Sequence, residues 1–132
     1  ISASGDVDVY GKLTATQKSF VIDRPEGGKL EYSSLEGPEN TVFYRGVLKE
    51  NNTINLPEEW EWLIDENTIT VQLTSIEAHQ QLYVKDIKDN KIEIGQTGHW
   101  KKGSFVTDKV HCHYIVHAER KDIEKLVTHK EN

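Results

Sequence analysis

The chain has 132 residues, 36% of them hydrophobic, with 22 acidic and 16 basic side chains and a net charge of −6. This length fits a single domain. The acidic balance and the scattered lysines and arginines leave no electrostatic footprint for a phosphate backbone, so no nucleic-acid partner is expected. Apolar runs are only a few residues long, far below the ~20 that a membrane-spanning helix needs, so neither membrane insertion nor a signal peptide is expected.

The composition indicates a thin core. Adding the nine glycines brings the apolar fraction to about 43%, slightly below the ~45–50% of ordinary globular domains. The single Cys112 cannot form an internal disulfide, and CxxC metal pairs are absent from the sequence, so no covalent or zinc staple is expected. We therefore expect oligomerisation to supply the missing burial. The sequence contains no methionine, from which we expect a processed or excised piece of a longer polypeptide.

The first segment, residues 5–16, alternates apolar and polar side chains at period two, which predicts a β-strand punctuated by glycines. Its apolar stripe is narrow and consists of Val7, Val9, Gly11, Leu13 and Ala15. Such a stripe cannot form a domain by itself, so we expect it to pack against the same strand of two sister chains. Residues 1–17 are thus predicted to be a shaft-like strand segment, and residues 18–132 a separate β module.

Beyond this segment, short apolar runs recur about every ten residues with turn residues between them, which predicts an all-β sandwich or barrel-like module. The predicted strands are 20–22, 30–33, 42–48, 53–56, 69–76, 81–86, 91–94 and 110–117. One helical turn is predicted over residues 56–64, because Pro57 suits the first helical position. Residues 95–103 are predicted to be a glycine-rich loop, and the tail from Ala118 fits either a helical turn or a docking strand.

Two histidines, His111 and His113, give the sharpest site hypothesis. Residues at i and i+2 of a strand point to the same face, and neutral imidazole is a good ligand for transition metals. In a trimer with this strand on the axis, three copies would present six nitrogens, enough for an octahedral ion. The alternative is an ordinary exposed or interface strand face that carries histidines, with Cys112 as a small buried residue on the opposite side.

Aromatic residues in predicted loops suggest a contact surface. Exposed aromatic side chains are enriched at binding sites, and Tyr32, Trp100 and Phe105 lie in such stretches, with His99 nearby. We assign Tyr32, His99 and Trp100 as candidate receptor-binding residues. The alternative is that these side chains fill a seam between chains.

Carboxylates beside tryptophans, Glu58, Glu59 and Glu61 next to Trp60 and Trp62, raise the possibility of a sugar-cleaving site, because glycosidases use two acids. The alternative is that the acids cap a short helix while the tryptophans anchor it to the core. Sequence neighbours rarely give the ~5–9.5 Å separation across a substrate that the reaction needs. No catalytic residue is therefore predicted, and the protein is expected not to be an enzyme.

Two short motifs, Leu-Glu-Gly-Pro-Glu at residues 35–39 and Tyr-Arg-Gly at residues 44–46, lie within a longer stretch from about residue 18 to residue 126. This stretch resembles a module of bacteriophage tail fibres of the side or L-shaped type. Two turns depart from the family pattern: Asp23-Arg24-Pro25 stands where many relatives have His-Pro, and Ser75-Ile76-Glu77 where many have Pro-Ile-Gly.

The resemblance implies an intertwined homotrimer at the C-terminal tip of a fibre, normally followed by a self-cleaving intramolecular chaperone domain. It implies a structural and host-adhesion role in the virion, with a bacterial surface receptor, polysaccharide or lipopolysaccharide, as the partner. No cofactor is implied beyond the metal ion that the histidines suggest. Two alternatives stay open: a polysaccharide depolymerase tip, and a phage-derived fibre on a bacterial surface.

Overall fold

A computed structural model of the chain describes residue 2, residues 4–34, residues 37–129 and residue 131. Leu35 and Glu36, which belong to the first motif, lie outside the described residues. The elements are mostly short antiparallel strands with very little helix, which confirms the all-β fold class. No helix formed by the described residues is long and apolar enough to cross a membrane.

The strands, in chain order, are β1 Ser19–Asp23, β2 Lys29–Ser33, β3 Thr41–Lys49, β4 Thr53–Asn55, β5 Thr70–Ser75, β6 Leu82–Lys88, β7 Lys91–Gln96, β8 His99–Lys101, β9 Ser104–Val106 and β10 His111–Glu119. The helix α1 spans Trp60–Leu63, and a 3-10 turn spans Glu66–Thr68. Eight of these strands lie where the period-two pattern predicts strands, and α1 lies inside the predicted helical turn.

The chain divides into two compact units, Ile1–Ser34 and Leu35–Asn132. The first unit contains the antiparallel hairpin β1–β2, in which Phe20 lies opposite Tyr32 with their ring centroids 5.6 Å apart. The sequence placed a boundary after residue 17 instead. The difference arises because β1 and β2 pair only with each other among the described strands, and so form a local unit.

In one copy, the described residues 5–16 form no strand, and the strand that they are expected to form with two sister chains stays a prediction. The described residues before β1 form bends and irregular structure. Gly5 and Gly11 adopt φ of 93° and 136°, which interrupts an extended conformation at both glycines. A strand also needs a neighbour for its backbone hydrogen bonds, and no described strand pairs with this segment. Val7, Val9 and Leu13 are consequently exposed.

The second unit contains two three-stranded antiparallel sheets and one separate hairpin. One sheet has the order β3-β10-β5, the other β4-β7-β6, and β8 pairs with β9. In the first sheet, the central strand β10 places Val116 opposite Tyr44 of β3 and Val71 of β5. Strands distant in sequence therefore form one continuous surface.

The core of this unit is built from one face of each sheet together with α1. Trp60 is buried, and its ring lies edge-on to Tyr44 with the centroids 6.4 Å apart. The tryptophan therefore anchors the short helix to the core. The buried apolar residues of the unit are Val42, Leu48, Ile54, Leu56, Trp60, Leu63, Ile64, Ile92, Ile94, Val110, Cys112, Val116 and Ala118.

Residues 95–103 do not form the predicted loop, because they contribute to the hairpin β8–β9. Lys102 and Gly103 have φ of 50° and 80°, and two consecutive positive values are what a two-residue hairpin turn requires. The start of the tail contacts both the end of α1 and Asn40, whose side-chain amide donates to the carbonyl of Glu124 at 3.3 Å. The Asp65 N–H donates to the carbonyl of Glu119 at 2.9 Å, and the Lys121 N–H donates to the carbonyl of Leu63 at 2.8 Å. No helix or strand follows among the described tail residues.

Candidate functional site

The hairpin β8–β9 presents two large aromatic side chains to solvent. Trp100 and Phe105 are directly opposite each other, with ring centroids 5.6 Å apart and planes at 69°. Trp100 is 73% exposed and Phe105 59% exposed. An edge-to-face pair of this kind forms a firm apolar platform. Exposed aromatic groups with polar neighbours are typical of recognition surfaces.

A glycine sets the position of the Phe105 ring. A Cβ atom at Gly98 would lie 2.7 Å from Phe105 Cε1 and 2.7 Å from the carbonyl oxygen of Val106. Contacts below 3.0 Å are not tolerated, so the ring lies over Gly98 only because this residue has no side chain. Gly98 therefore positions one member of the aromatic pair without itself contributing a contact surface.

The three candidate receptor residues fall into two groups. His99 lies beside Trp100 on β8, and its Nδ1 atom is 3.7 Å from Asp108 Oδ2. Tyr32 lies in the other compact unit, on β2, where it packs against Phe20. The structure therefore brings His99 and Trp100 together and assigns Tyr32 to a different unit. Phe105 was left out of the predicted site although its place, mirrored with Trp100 about Lys102-Gly103, was readable from the sequence.

Strand β10 carries both histidines of the metal hypothesis on one face. His111, His113, Ile115 and His117 alternate with the inward-facing Cys112, which is fully buried. The start of this strand is held by the Gln80 amide, which donates to the carbonyl of Lys109 at 2.8 Å and accepts from the His111 N–H at 3.0 Å. We call the face that carries the histidines the outer face of the sheet β3-β10-β5.

The described residues of one copy do not supply a full set of metal ligands, so they do not test the metal hypothesis. No group of three or more His, Cys, Asp or Glu side chains able to hold a metal ion occurs in the described part of the chain. The His111 Nδ1 atom lies 3.9 Å from Glu77 Oε2. A site on a three-fold axis would need the same strand of two further copies, so it stays a prediction.

The outer face also contains a shallow groove that the sequence did not reveal. Its volume is about 570 Å³, and it is lined by residues from all three strands of the sheet. Those used below are Arg45 and Val47 of β3, Gln72 and Thr74 of β5, and His113 and Ile115 of β10. The lining combines one guanidinium, several neutral hydrogen-bonding groups and two aliphatic side chains.

The opposite, inner face of β10 is devoted to packing. The Tyr114 ring lies over Gly46, where a Cβ atom would be 2.5 Å from the tyrosine oxygen. Burial, and then the neighbouring Tyr44, raise the pKa of Tyr114 to about 12. Burial likewise raises the pKa of the Cys112 thiol, which keeps it in the unreactive thiol form.

The chain matches no protein-family model, and no curated protein or solved structure matches it.

Proposed function

We propose that the chain is a structural and host-adhesion module of a trimeric phage tail fibre, which binds a glycan of the bacterial surface without cleaving it. The hairpin β8–β9 is the contact surface, with Trp100 and Phe105 as the platform and His99 beside them. The tail-fibre assignment and the virion location come from the resemblance at residues 18–126. The chemistry of the hairpin is compatible with that assignment.

The observation that carries the proposal is the exposed aromatic pair. Two large apolar rings left in water have no role in the core of this unit, because both lie largely open to solvent. A sugar ring offers an apolar face of C–H groups and a rim of hydroxyls. The aromatic platform can stack on the C–H face, and the polar groups of His99 and Asp108 can form hydrogen bonds with the hydroxyls.

Trimerisation would take place through the N-terminal segment. Val7, Val9 and Leu13 are exposed in one copy, and three copies around an axis would bury these side chains against one another. The same association would supply partners for unpaired backbone groups. Three linked copies also turn a weak contact per glycan into a strong attachment.

Glycan binding by single variants tests the contact surface. With surface polysaccharide or lipopolysaccharide from candidate host bacteria, Trp100→Ala is expected to weaken binding at least about tenfold, because an aromatic anchor is lost. Gly98→Ala is expected to weaken it as well, by displacing Phe105 while both aromatic residues remain. Tyr10→Ala, which removes an exposed aromatic residue from the other unit, is the matched control. Equal binding by Trp100→Ala and the wild type would overturn this assignment.

Incubation with the same glycan separates an adhesin from a depolymerase. An adhesin leaves the length distribution of the polysaccharide unchanged after binding it. Shortened chains, measured by size-exclusion chromatography, would establish the depolymerase alternative instead. Glu61→Gln would then be the first variant to examine, since the carboxylates around α1 were the only acids that suggested sugar cleavage.

A further inference from the structure

We infer that the groove on the outer face of the sheet β3-β10-β5 is a second glycan subsite, which binds an acidic sugar through its carboxylate. This inference rests on the proposed function and specifies its ligand class. It adds a site that lies on a different element from the hairpin β8–β9. The groove needs no further chain to complete it, because one copy supplies all three strands.

The groove brings donors and apolar groups together in one place. His113 lies opposite Val47 on one side and Thr74 on the other, and Ile115 lies opposite Arg45 and Gln72. The Arg45 guanidinium is exposed, and it forms no ion pair with any residue that the structure describes. An unpaired guanidinium beside neutral donors is suited to a planar carboxylate that is surrounded by sugar hydroxyls.

The charge of this face is opposite to that of the whole chain. The chain carries a net charge of −6, yet the outer rows between the Phe43–His117 and Lys49–His111 pairs contain no acidic residue. They contain Arg45 and Lys49 together with three histidines. One acid from another segment, Glu77, lies beside His111 at one end of this surface. An anionic ligand is therefore favoured here.

The single positive side chain that lines the groove suits a ligand with one carboxylate per sugar better than a phosphate. Arg45 is the only arginine or lysine among the residues that line it. Phosphate carries up to two charges and is usually held by clusters of arginines. The remaining contacts, from Gln72, Thr74 and His113, suit the hydroxyls of a uronic acid. Val47 and Ile115 suit the C–H groups of its ring.

The same face bears on the metal hypothesis. A three-fold axis along β10 would place the outer faces of three copies against one another and cover the groove. It would also bring three Arg45 guanidinium groups towards one axis, where like charges repel. The subsite and a His111–His113 metal ion on such an axis are therefore mutually exclusive.

Calorimetric titration with an oligogalacturonate, and with the same oligosaccharide after reduction of its carboxyl groups to alcohols, tests the inference. The wild-type chain is expected to prefer the acidic form at least about tenfold, as a charge-assisted contact predicts. Arg45→Gln is expected to abolish this preference. Lys88→Gln, which removes one exposed positive charge from another sheet, is expected to keep it. A thermal melt confirms that each variant is folded.

Several results would overturn the inference. One is equal affinity for the two oligosaccharides, and another is an acidic preference that survives in Arg45→Gln. Binding that depends on Arg45 but favours phosphorylated lipopolysaccharide core over the uronate would replace the carboxylate by a phosphate. Methyl NMR signals of Val47 and Ile115 that shift on dilution without ligand would show that a second copy covers the groove.

The hairpin and the groove can fail independently. Loss of attachment to bacterial glycan in Trp100→Ala, with no effect of Arg45→Gln on any glycan, would retain the proposed function and eliminate the groove. Arg45-dependent binding of the uronate by a protein that attaches to no bacterial surface would retain the groove as a binding site and eliminate the proposed function.

Discussion

The two faces of β10 belong to one strand of nine residues, but one face is packed in the core and the other is more open to solvent. On the inner row Cys112, Val116 and Ala118 are buried, and Gly46 makes room for the ring of the half-buried Tyr114. The outer row consists of histidines and Ile115 beside the exposed Arg45. Side chains on successive strand positions point to opposite faces. One strand can therefore hold the fold together on one side and recognise a ligand on the other.

The largest expected effect is on the inner face. Val116→Ala should lower the free energy of unfolding by about 2 kcal/mol, because two buried methyl groups are lost and a small cavity is left. The same substitution on the outer face, Val47→Ala, should change it by less than about 0.5 kcal/mol, since Val47 is 52% exposed.

Urea unfolding measures both variants under identical conditions. Equal losses for Val116→Ala and Val47→Ala would contradict the division of the strand into a packing face and a recognition face. The order of the two effects is expected to reverse in a binding assay. Val47→Ala should weaken uronate binding more than Val116→Ala does, in samples that remain folded.

A smaller effect is expected at high pH, again from the inner face. The folded state raises the pKa of Tyr114 from 10.0 to about 12, because burial disfavours the phenolate. The folded state therefore holds the tyrosine proton more tightly than the unfolded state does. The resulting stability is fully present below pH 10 and is lost as the pH rises towards 12.

Tyr114→Phe should make the stability less dependent on pH in this window, although it also removes the contact between the Tyr114 hydroxyl and Tyr44. Urea unfolding midpoints at pH 9, 10 and 11 measure the slope for the wild type and the variant. Identical slopes would show that Tyr114 does not contribute to alkaline destabilisation.

Period-two alternation was enough to predict most of the strands and the shared face of His111 and His113. It failed at the hairpin β8–β9, where each strand has only three residues and glycines at positions 95, 98 and 103 suggest a loop. Residues 5–16 are a different case, because the strand predicted there depends on two further copies of the chain. There, a clear alternation has no partner strand within one copy.

The groove could not be predicted because its residues come from three strands that are far apart in the chain. Arg45, Gln72 and Ile115 meet only through the order β3-β10-β5 and the register of both strand pairs. No local pattern encodes that register. The Trp100–Phe105 pair is different, since the Lys102-Gly103 turn lies symmetrically between its two members and could have indicated the hairpin.

Light scattering at micromolar concentration tests the central claim, a trimeric adhesin assembled through its N-terminal segment. We expect the chain to have a mass of three times 15.1 kDa. Leu13→Asp should dissociate it by placing a charge in the apolar stripe, whereas Tyr10→Asp, at a position outside that stripe in the sequence alternation, should leave it intact. A stable 15.1 kDa monomer throughout the micromolar range would contradict the account.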